Sequence, residues 1–368
     1  MEKVGVSAAA IDRMELGVYT IPTDAPESDG TLEWHETTIV VAHLRAGDTN
    51  GLGYTYASPA AAQVATSTLG DVVIGRDAMD VEGCYVAMRH AVRNIGRDGV
   101  AASAISAIDI ALWDLKARLI GISLVALLGA ARDGIALYGS GGFTSYSLDQ
   151  LAEQLAAWAN EGLGAVKMKV GRDPDADPDR VREARRAIGG ATQLFVDANG
   201  AYGAKLALAQ AERFAEHGVV WFEEPVSSDD LDGLRLVRET APGGMEIAAG
   251  EYGYDVQYFR RLAEAGAVDV LQADATRCGG VSGFLRAAAI ADAFDLPLSA
   301  HTAPSVHAPL CCAASRTRNL EYFHDHVRIE RMLFDGVLRP IDGELRPDRS
   351  RPGLGLEFKR ADAERFAS

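Results

Sequence analysis

Gln193-Leu194-Phe195-Val196-Asp197, Val219-Val220-Trp221-Phe222-Glu223 and Ile247-Ala248-Ala249-Gly250-Glu251 are three short apolar runs, each ending on a carboxylate. The acids stand 26 and 28 residues apart. One strand–loop–helix–loop unit has this length, and such units build a parallel α/β barrel. In a barrel the three acids meet at one mouth. Like charges gather only around something positive. Hard oxygen ligands with room left for substrate and water suit Mg²⁺.

The rhythm extends in both directions. Strands are predicted at Ile135–Tyr138, Ala165–Val170, Gln193–Asp197, Val219–Glu223, Glu246–Gly250, Val268–Gln272, Pro297–Ala300 and Leu320–Phe323. Helical spacing lies between them, as in Leu148–Glu161, Asp179–Ile188, Ala204–Glu216 and Gly283–Ala293. The expected fold is therefore α/β, a modified TIM-type (β/α)7β barrel over residues 131–330. Before it, Thr37–Leu44 reads as a strand and Val100–Leu119 as a helix stopped by Gly121. These belong to an α+β capping domain over residues 1–130, to which the Gly-, Pro- and Arg-rich tail 331–368 returns. Pro22–Gly30, with two prolines and three acids, reads as an exposed loop.

Bulk properties narrow the function. A chain of 368 residues exceeds the size at which one core stops growing. Its 48% hydrophobic and 24% charged residues suit a globular enzyme. A net charge of −16 argues against nucleic acid and anionic membranes, both of which need a basic face. It leaves room for a small anionic substrate, because a metal and lysines invert the field locally. Cys84, Cys278, Cys311 and Cys312 show no C-x-x-C spacing and read as buried thiols of a reducing compartment. Glu2, Asp12 and Glu15 interrupt the N-terminus where a leader would need an apolar core, and no apolar run of about 18 residues occurs. Cytoplasm is the expected location.

Lys167 and Lys169 alternate on one strand, so both face the same way. Two lysines inside a barrel are costly unless used, and each disfavours the other's proton, which depresses one amine toward a useful base. A bare K-x-K is more often a pair snorkelling from an edge strand; flanking Ala165, Val166 and Val170 argue for a central one. Asp274 and His301 end the sixth and seventh barrel strands, where a carboxylate can orient an imidazole for proton transfer. Glu321, near the end of the eighth, is placed to hydrogen-bond a substrate oxygen.

Three patterns mislead. Asp173, Asp175, Asp177 and Asp179 alternate as in a calcium loop, but Pro178 takes the glycine position and Ala184 that of the closing glutamate. A solvated loop with Asp179 as helix N-cap is expected. His324-Asp325-His326 lacks spaced partners for zinc and reads as a loop. Gly139-Ser140-Gly141-Gly142 lacks the continuation of a dinucleotide fingerprint.

Together these residues resemble the enolase superfamily, and within it the mandelate racemase subgroup. The resemblance is carried by Ala111-Leu112-Trp113-Asp114-Leu115-Lys116-Ala117 with Leu127-Leu128-Gly129, Lys167-Met168-Lys169, Asp197-Ala198-Asn199-Gly200, Glu223-Glu224-Pro225, Gly250-Glu251, Asp274 with Gly279-Gly280, and His301. It implies one Mg²⁺ per subunit on Asp197, Glu223 and Glu251. It implies Lys169 as base on one face of the substrate, with Lys167 tuning it and neutralising the substrate carboxylate. His301, held by Asp274, serves as acid or base on the other face, and Glu321 donates to the enolate oxygen. Pro22–His35 and Gly47–Tyr56 would close over the site, and the chain would assemble as a homo-oligomer, a dimer or octamer. The implied chemistry is abstraction of the α-proton of a small anionic hydroxy acid. Dehydration of an acid sugar is the leading outcome, since Pro22–His35 is rich in hydroxyl-seeking groups. Racemisation or epimerisation and lactone cycloisomerisation are the alternatives; muconate-type relatives carry a lysine where His301 stands. A barrel without catalysis should have lost some of these groups, and none is missing.

Overall fold

The computed structural model describes residues 9–368, so part of the N-terminal stretch bearing on a leader, Glu2 included, lies outside the described residues. Strands β1 (Arg13–Ser28), β2 (Glu33–Ala46) and β3 (Thr49–Tyr56) form an antiparallel meander. The long helix Val100–Ile120 packs across it. Strands β4 (Ile135–Gly141), β5 (Ala165–Lys169), β6 (Gln193–Asp197), β7 (Val219–Glu223), β8 (Glu246–Ala249), β9 (Val270–Ala273), β10 (Leu298–Ala300) and β11 (Thr317–Phe323) run parallel, and β11 pairs with β4 to close the barrel. Seven helices connect the eight strands, which is the expected (β/α)7β order.

Alternation decides what each barrel strand presents. Val166, Met168, Leu194, Val196, Phe222, Ile247, Ala249 and Leu271 belong to the large core shared with the outer helices. Tyr138, Ala165, Phe195, Trp221, Ala248 and Val270 form a separate cluster inside the barrel. Phe195 and Trp221 stack at 4.9 Å and seal its floor. Two residues further along the same strands, the inward positions are Lys167, Asp197 and Glu223.

Several expectations about the cap are corrected. Pro22–Gly30 is largely strand rather than loop, and it is exposed only at Pro22, Asp24 and Pro26. β1 runs through it, pairing Pro22 with Glu36 and, past a bulge, Glu27 with Trp34. Glu27, Ser28 and Asp29 are buried and held by partners: the Trp34 indole donates to Glu27 at 2.8 Å, Ser28 meets Thr144 at 2.6 Å, and Asp29 accepts from the Thr31 and Leu32 amides. Gly47–Tyr56 is mostly β3 rather than a lid, and of this stretch Tyr56 alone reaches the cavity. Gly51 and Gly53 are there for close packing: a Cβ would fall 2.3 and 2.2 Å from carbonyls of the long helix. Asp179 is exposed and not the N-cap. The helix starts at Asp177, buried where it accepts from the Gly171 amide and the Tyr202 hydroxyl. His324-Asp325-His326 opens the helix His324–Leu333 instead of forming a loop.

The tail also divides. β12 (Phe334–Asp335) pairs with β14 (Glu357–Phe358), and the Ser368 amide reaches Val18 of β1. Between them β13 (Glu344–Leu345) adds to the barrel strand β4, which the sequence did not suggest.

The cap is stapled to the barrel at one helix start. Gly279 and Gly280 donate their amides to Ser106, the Ser282 amide donates to Asp109, and Trp113 donates to the Ser282 hydroxyl. Asp109 is fully buried with Oδ2 unpartnered, and burial pushes its pKa up to about 7. The folded state thus holds this proton more tightly than the unfolded chain. That stabilisation is complete below the ordinary carboxylate pKa and is lost as pH rises through about 7. Asp109→Asn keeps the acceptor and removes the charge. Relative to the native chain it should gain about 2 kcal/mol between pH 5 and pH 8, read from urea midpoints. A constant difference across that range would show that Asp109 does not titrate there.

Candidate active site

Strand parity carries most of the functional side chains to the mouth. Lys169 and Asp197 end β5 and β6, and Glu223 ends β7. Asp274 and His301 follow β9 and β10 by one residue, and Glu321 lies inside β11. Glu251 has the wrong parity, falling with outward Ile247 and Ala249. Gly250 restores it: its φ is +136°, and a Cβ there would lie 2.1 Å from the Gln272 carbonyl oxygen. Asn199, Glu224, Thr302 and Ala303, all non-glycine, also hold positive φ just past strand ends. Backbone strain of this kind concentrates at functional sites.

All eight side chains singled out from the sequence meet here. Lys167 Nζ lies 2.6 Å from Glu223, 2.9 Å from Glu321 and 3.4 Å from Asp197. Lys169 Nζ lies 2.5 Å from Asp197. His301 Nδ1 lies 2.9 Å from Asp274, and Nε2 lies 2.8 Å from Glu251. Asp274 is fixed in turn by the Thr276 amide and hydroxyl, both at 2.7 Å.

The electrostatics differ from expectation at two points. Lys167 does lower the Lys169 pKa, but neither lysine is depressed on balance. Burial disfavours the charge of Lys169, but Asp197, Glu251 and Glu223 together outweigh it and raise the pKa; Glu223, Glu321 and Asp197 do the same for Lys167. Glu321 was expected to donate a proton. Burial would favour that, yet Lys167 and His301 hold its carboxyl below the usual range, so it stands as an acceptor. It takes the Thr302 amide at 3.2 Å and positions Lys167. Burial opposes the His301 charge as well, but Glu251 and Glu321 lift the pKa to about 9.

The donor set fits a hard divalent cation. Asp197, Glu223, Glu224, Glu251, Asp274 and Glu321 are buried together, against Lys167, Lys169, His301 and Arg277. Six carboxylates facing four cations leave two negative charges. Glu223 and Glu224 register the excess: burial and neighbouring acids raise both pKa values. The Glu224 Oε1 and Asn199 Oδ1 atoms are buried without partners. In this arrangement the oxygens of Asp197, Glu223 and Glu251 are drawn onto the amines and the imidazole. Among the described residues the tightest ligand-type triplet is instead Asp24, Glu27 and His324, with its atoms within 4.8 Å. That triplet is accounted for by pairing of Asp24 with His324 at 3.0 Å and of Glu27 with Trp34.

Above the site lies a cavity of about 410 Å³. Trp34, Tyr56, Asn199, Tyr252, Arg277 and His326 line it; Trp34 and Tyr56 belong to the stretches expected to close over the site, and the other four were given no cavity role. His326 stacks on Tyr56 with centroids 3.4 Å apart. The sequence signals were the closing stretches Pro22–His35 and Gly47–Tyr56 for Trp34 and Tyr56, the Asp197-Ala198-Asn199-Gly200 motif for Asn199, and for Arg277 its place between Asp274 and the Gly279-Gly280 pair.

The comparisons agree with this architecture. Residues 20–129 match the family described as mandelate racemase / muconate lactonizing enzyme, N-terminal domain, and residues 150–363 match the enolase C-terminal domain-like family. The chain belongs to the mandelate racemase / muconate lactonizing enzyme family of the enolase superfamily. It is similar to L-talarate/galactarate dehydratase of Salmonella typhimurium, with 32% identity over 94% of this chain and 88% of that protein. A structure of that relative, liganded with Mg and L-lyxarohydroxamate, superimposes with a TM-score of 0.90 at 30% identity, covering 100% of this chain and 95% of that one. The chain is likewise 32% identical to 3,6-anhydro-alpha-L-galactonate cycloisomerase of Streptomyces coelicolor, over 95% of this chain and 98% of that protein. A mandelate racemase/muconate lactonizing enzyme-like protein from Rubrobacter xylanophilus matches at 52% identity with a TM-score of 0.96, covering 98% of this chain and 100% of that one.

Proposed function

We propose that this protein is a Mg²⁺-dependent enzyme that removes the α-proton of an acid sugar, aldonate or aldarate, and expels the β-hydroxyl to give a 2-keto-3-deoxy acid. One observation carries the reading. Two proton carriers, Lys169 on β5 and the His301–Asp274 pair past β10 and β9, flank a carboxylate cluster borne on the intervening strands β6, β7 and β8. A carbon held over that cluster presents different faces to the amine and to the imidazole.

Asp197, Glu223 and Glu251 would hold the ion. When bound, Mg²⁺ supplies charge stabilisation for the enolate that forms beside a carboxylate. Lys169 takes the α-proton once its ammonium has given up its own. Lys167, fully buried between Glu223 and Glu321, keeps its charge and faces the substrate carboxylate. His301 gives its proton to the departing β-hydroxyl, which leaves as water, and Asp274 stabilises and orients the imidazole through Nδ1.

The polar segment Pro22–His35 no longer supports a sugar by itself. Asp29 accepts from Thr31 and Leu32, Glu27 from Trp34, and Glu33 pairs with Arg172. The support comes from the cavity groups Thr38, Ser58, Asn199 and Tyr252, and from relatives named for acid sugars. The proposed organisation is a cap of residues 1–130, a barrel of residues 131–330 and a tail that joins them. A cytoplasmic setting is supported by four buried free cysteines, and no described helix is long and apolar enough to cross a membrane. Self-assembly into a dimer or octamer is proposed from the family resemblance.

Incubation with Mg²⁺ and a panel of aldonic and aldaric acids in deuterated water tests the reading. A 2-keto product is expected; altered optical rotation without it would mean epimerisation, and absence of both product and α-hydrogen exchange would sink the proposal. Glu223→Gln should weaken Mg²⁺ binding at least 10-fold by titration calorimetry, and native affinity would remove Glu223 from the ligand set. His301→Asn should abolish keto product, by 100-fold or more, while Lys169 still exchanges the α-hydrogen. Native turnover would release His301 from its role.

A further inference from the structure

Arg277 is the cavity cation that the chemistry above leaves idle. It and Lys169 are the Lys and Arg side chains that line the cavity among the described residues. Lys169 is committed to Asp197, whereas Arg277 is barely engaged. Its Nη1 donates to the Glu251 carbonyl at 3.3 Å, the one hydrogen bond its guanidinium makes to the described residues. The carboxylates of Glu251 and Asp274 hold its charge from 3.7 and 3.6 Å, too far for hydrogen bonds. The group sits over the Tyr252 ring at 5.3 Å, and a quarter of the side chain remains accessible.

A guanidinium presents five N–H donors in a planar fork, and its best partner is a carboxylate held by two parallel bonds. Here the fork is oriented by an aromatic face and left open to the cavity. Asp29 and Glu36 also line the cavity. Asp29 is spent on its own turn, so it does not compete for the cation.

We propose that Arg277 is a specificity-determining residue that receives a second carboxylate of the substrate, so that the acid sugar is an aldarate rather than an aldonate. This rests on the acid-sugar reading above. One carboxylate lies at the lysine end, where the α-proton is removed, and the other meets the Arg277 fork. An aldonate offers a neutral hydroxymethyl group at that end, which satisfies one donor and none of the charge.

Stereochemically matched pairs, galactarate with galactonate and glucarate with gluconate, test this on the Mg²⁺-loaded enzyme by keto product and α-hydrogen exchange. The native enzyme should favour the diacid of a productive pair at least 10-fold in kcat/KM. Arg277→Met should erase that preference, lowering diacid kcat/KM at least 30-fold, mainly through KM, and the monoacid by less than about 3-fold; Arg277→Lys should recover part of the loss. Three results would overturn the proposal: a native preference for the monoacid, equal losses on both members of a pair, or loss of Mg²⁺ affinity in both variants, which would make Arg277 a support for Glu251. Absence of reaction with every acid instead strikes the acid-sugar reading itself.

Discussion

Everything in this molecule depends on burying an ionic cluster that its own groups do not neutralise. A closed barrel leaves no edge and little water, so charges inside it must be paired. The floor of stacked Phe195 and Trp221 removes solvent from below. Directly above it, inward positions switch from aromatic to ionic within two residues. Lys167 sits at this boundary, buried, bridging Glu223 and Glu321. Removing one partner from such a bridge leaves a bare charge in a dry interior, which costs several kcal/mol. The acids packed around them hold the lysines protonated in this arrangement, and a divalent cation is the simplest group that would release them.

The cap completes the site by fixing a loop rather than by covering it alone. Ser106, Asp109 and Trp113 of the long helix engage the Gly279–Ser282 turn. Asp274 and Arg277 lie immediately before that turn. Gly280 holds φ +77°, and a Cβ there would strike Asp109. The same helix accepts the β3 glycines against its backbone. Position of the meander, orientation of the His301–Asp274 pair and placement of Arg277 are thus mechanically linked.

The barrel and its ionic residues were legible in sequence because alternation is a strict rule and acids at strand ends are conspicuous. Asp197, Glu223, Lys167 and Lys169 follow from parity alone. Glu251 was found by its position after an apolar run, although parity places it outside; only the Gly250 conformation explains its inward turn. Within Pro22–Gly30 polarity marks exposure only at its start, where Asp24 is exposed; Glu27 and Ser28 are buried with partners supplied by other segments. Gly51 and Gly53 fall in a stretch expected to close over the site, because a glycine required by a neighbouring helix looks the same in sequence as one in a loop. The lysine proton balance was misjudged because the pair was considered without the acids of three other strands.

These errors share a cause, and it separates what sequence patterns encode from what they leave out. Periodicity reports which way a side chain faces, a property of its own strand. Charge state and ligand preference depend on groups brought together by closure of the whole sheet. Reaction chemistry is therefore readable from strand ends, while substrate choice sits in residues such as Arg277, Tyr252 and His326 whose neighbours come from other segments. The distinction has a structural counterpart. Groups placed for chemistry are tightly bonded at 2.5 to 2.9 Å, whereas Arg277 at the cavity wall keeps its nearest anions beyond 3.5 Å. A wall built from loosely engaged groups can change ligand without disturbing the ionic cluster beneath, which is how one barrel mouth can serve different acids with the same proton carriers.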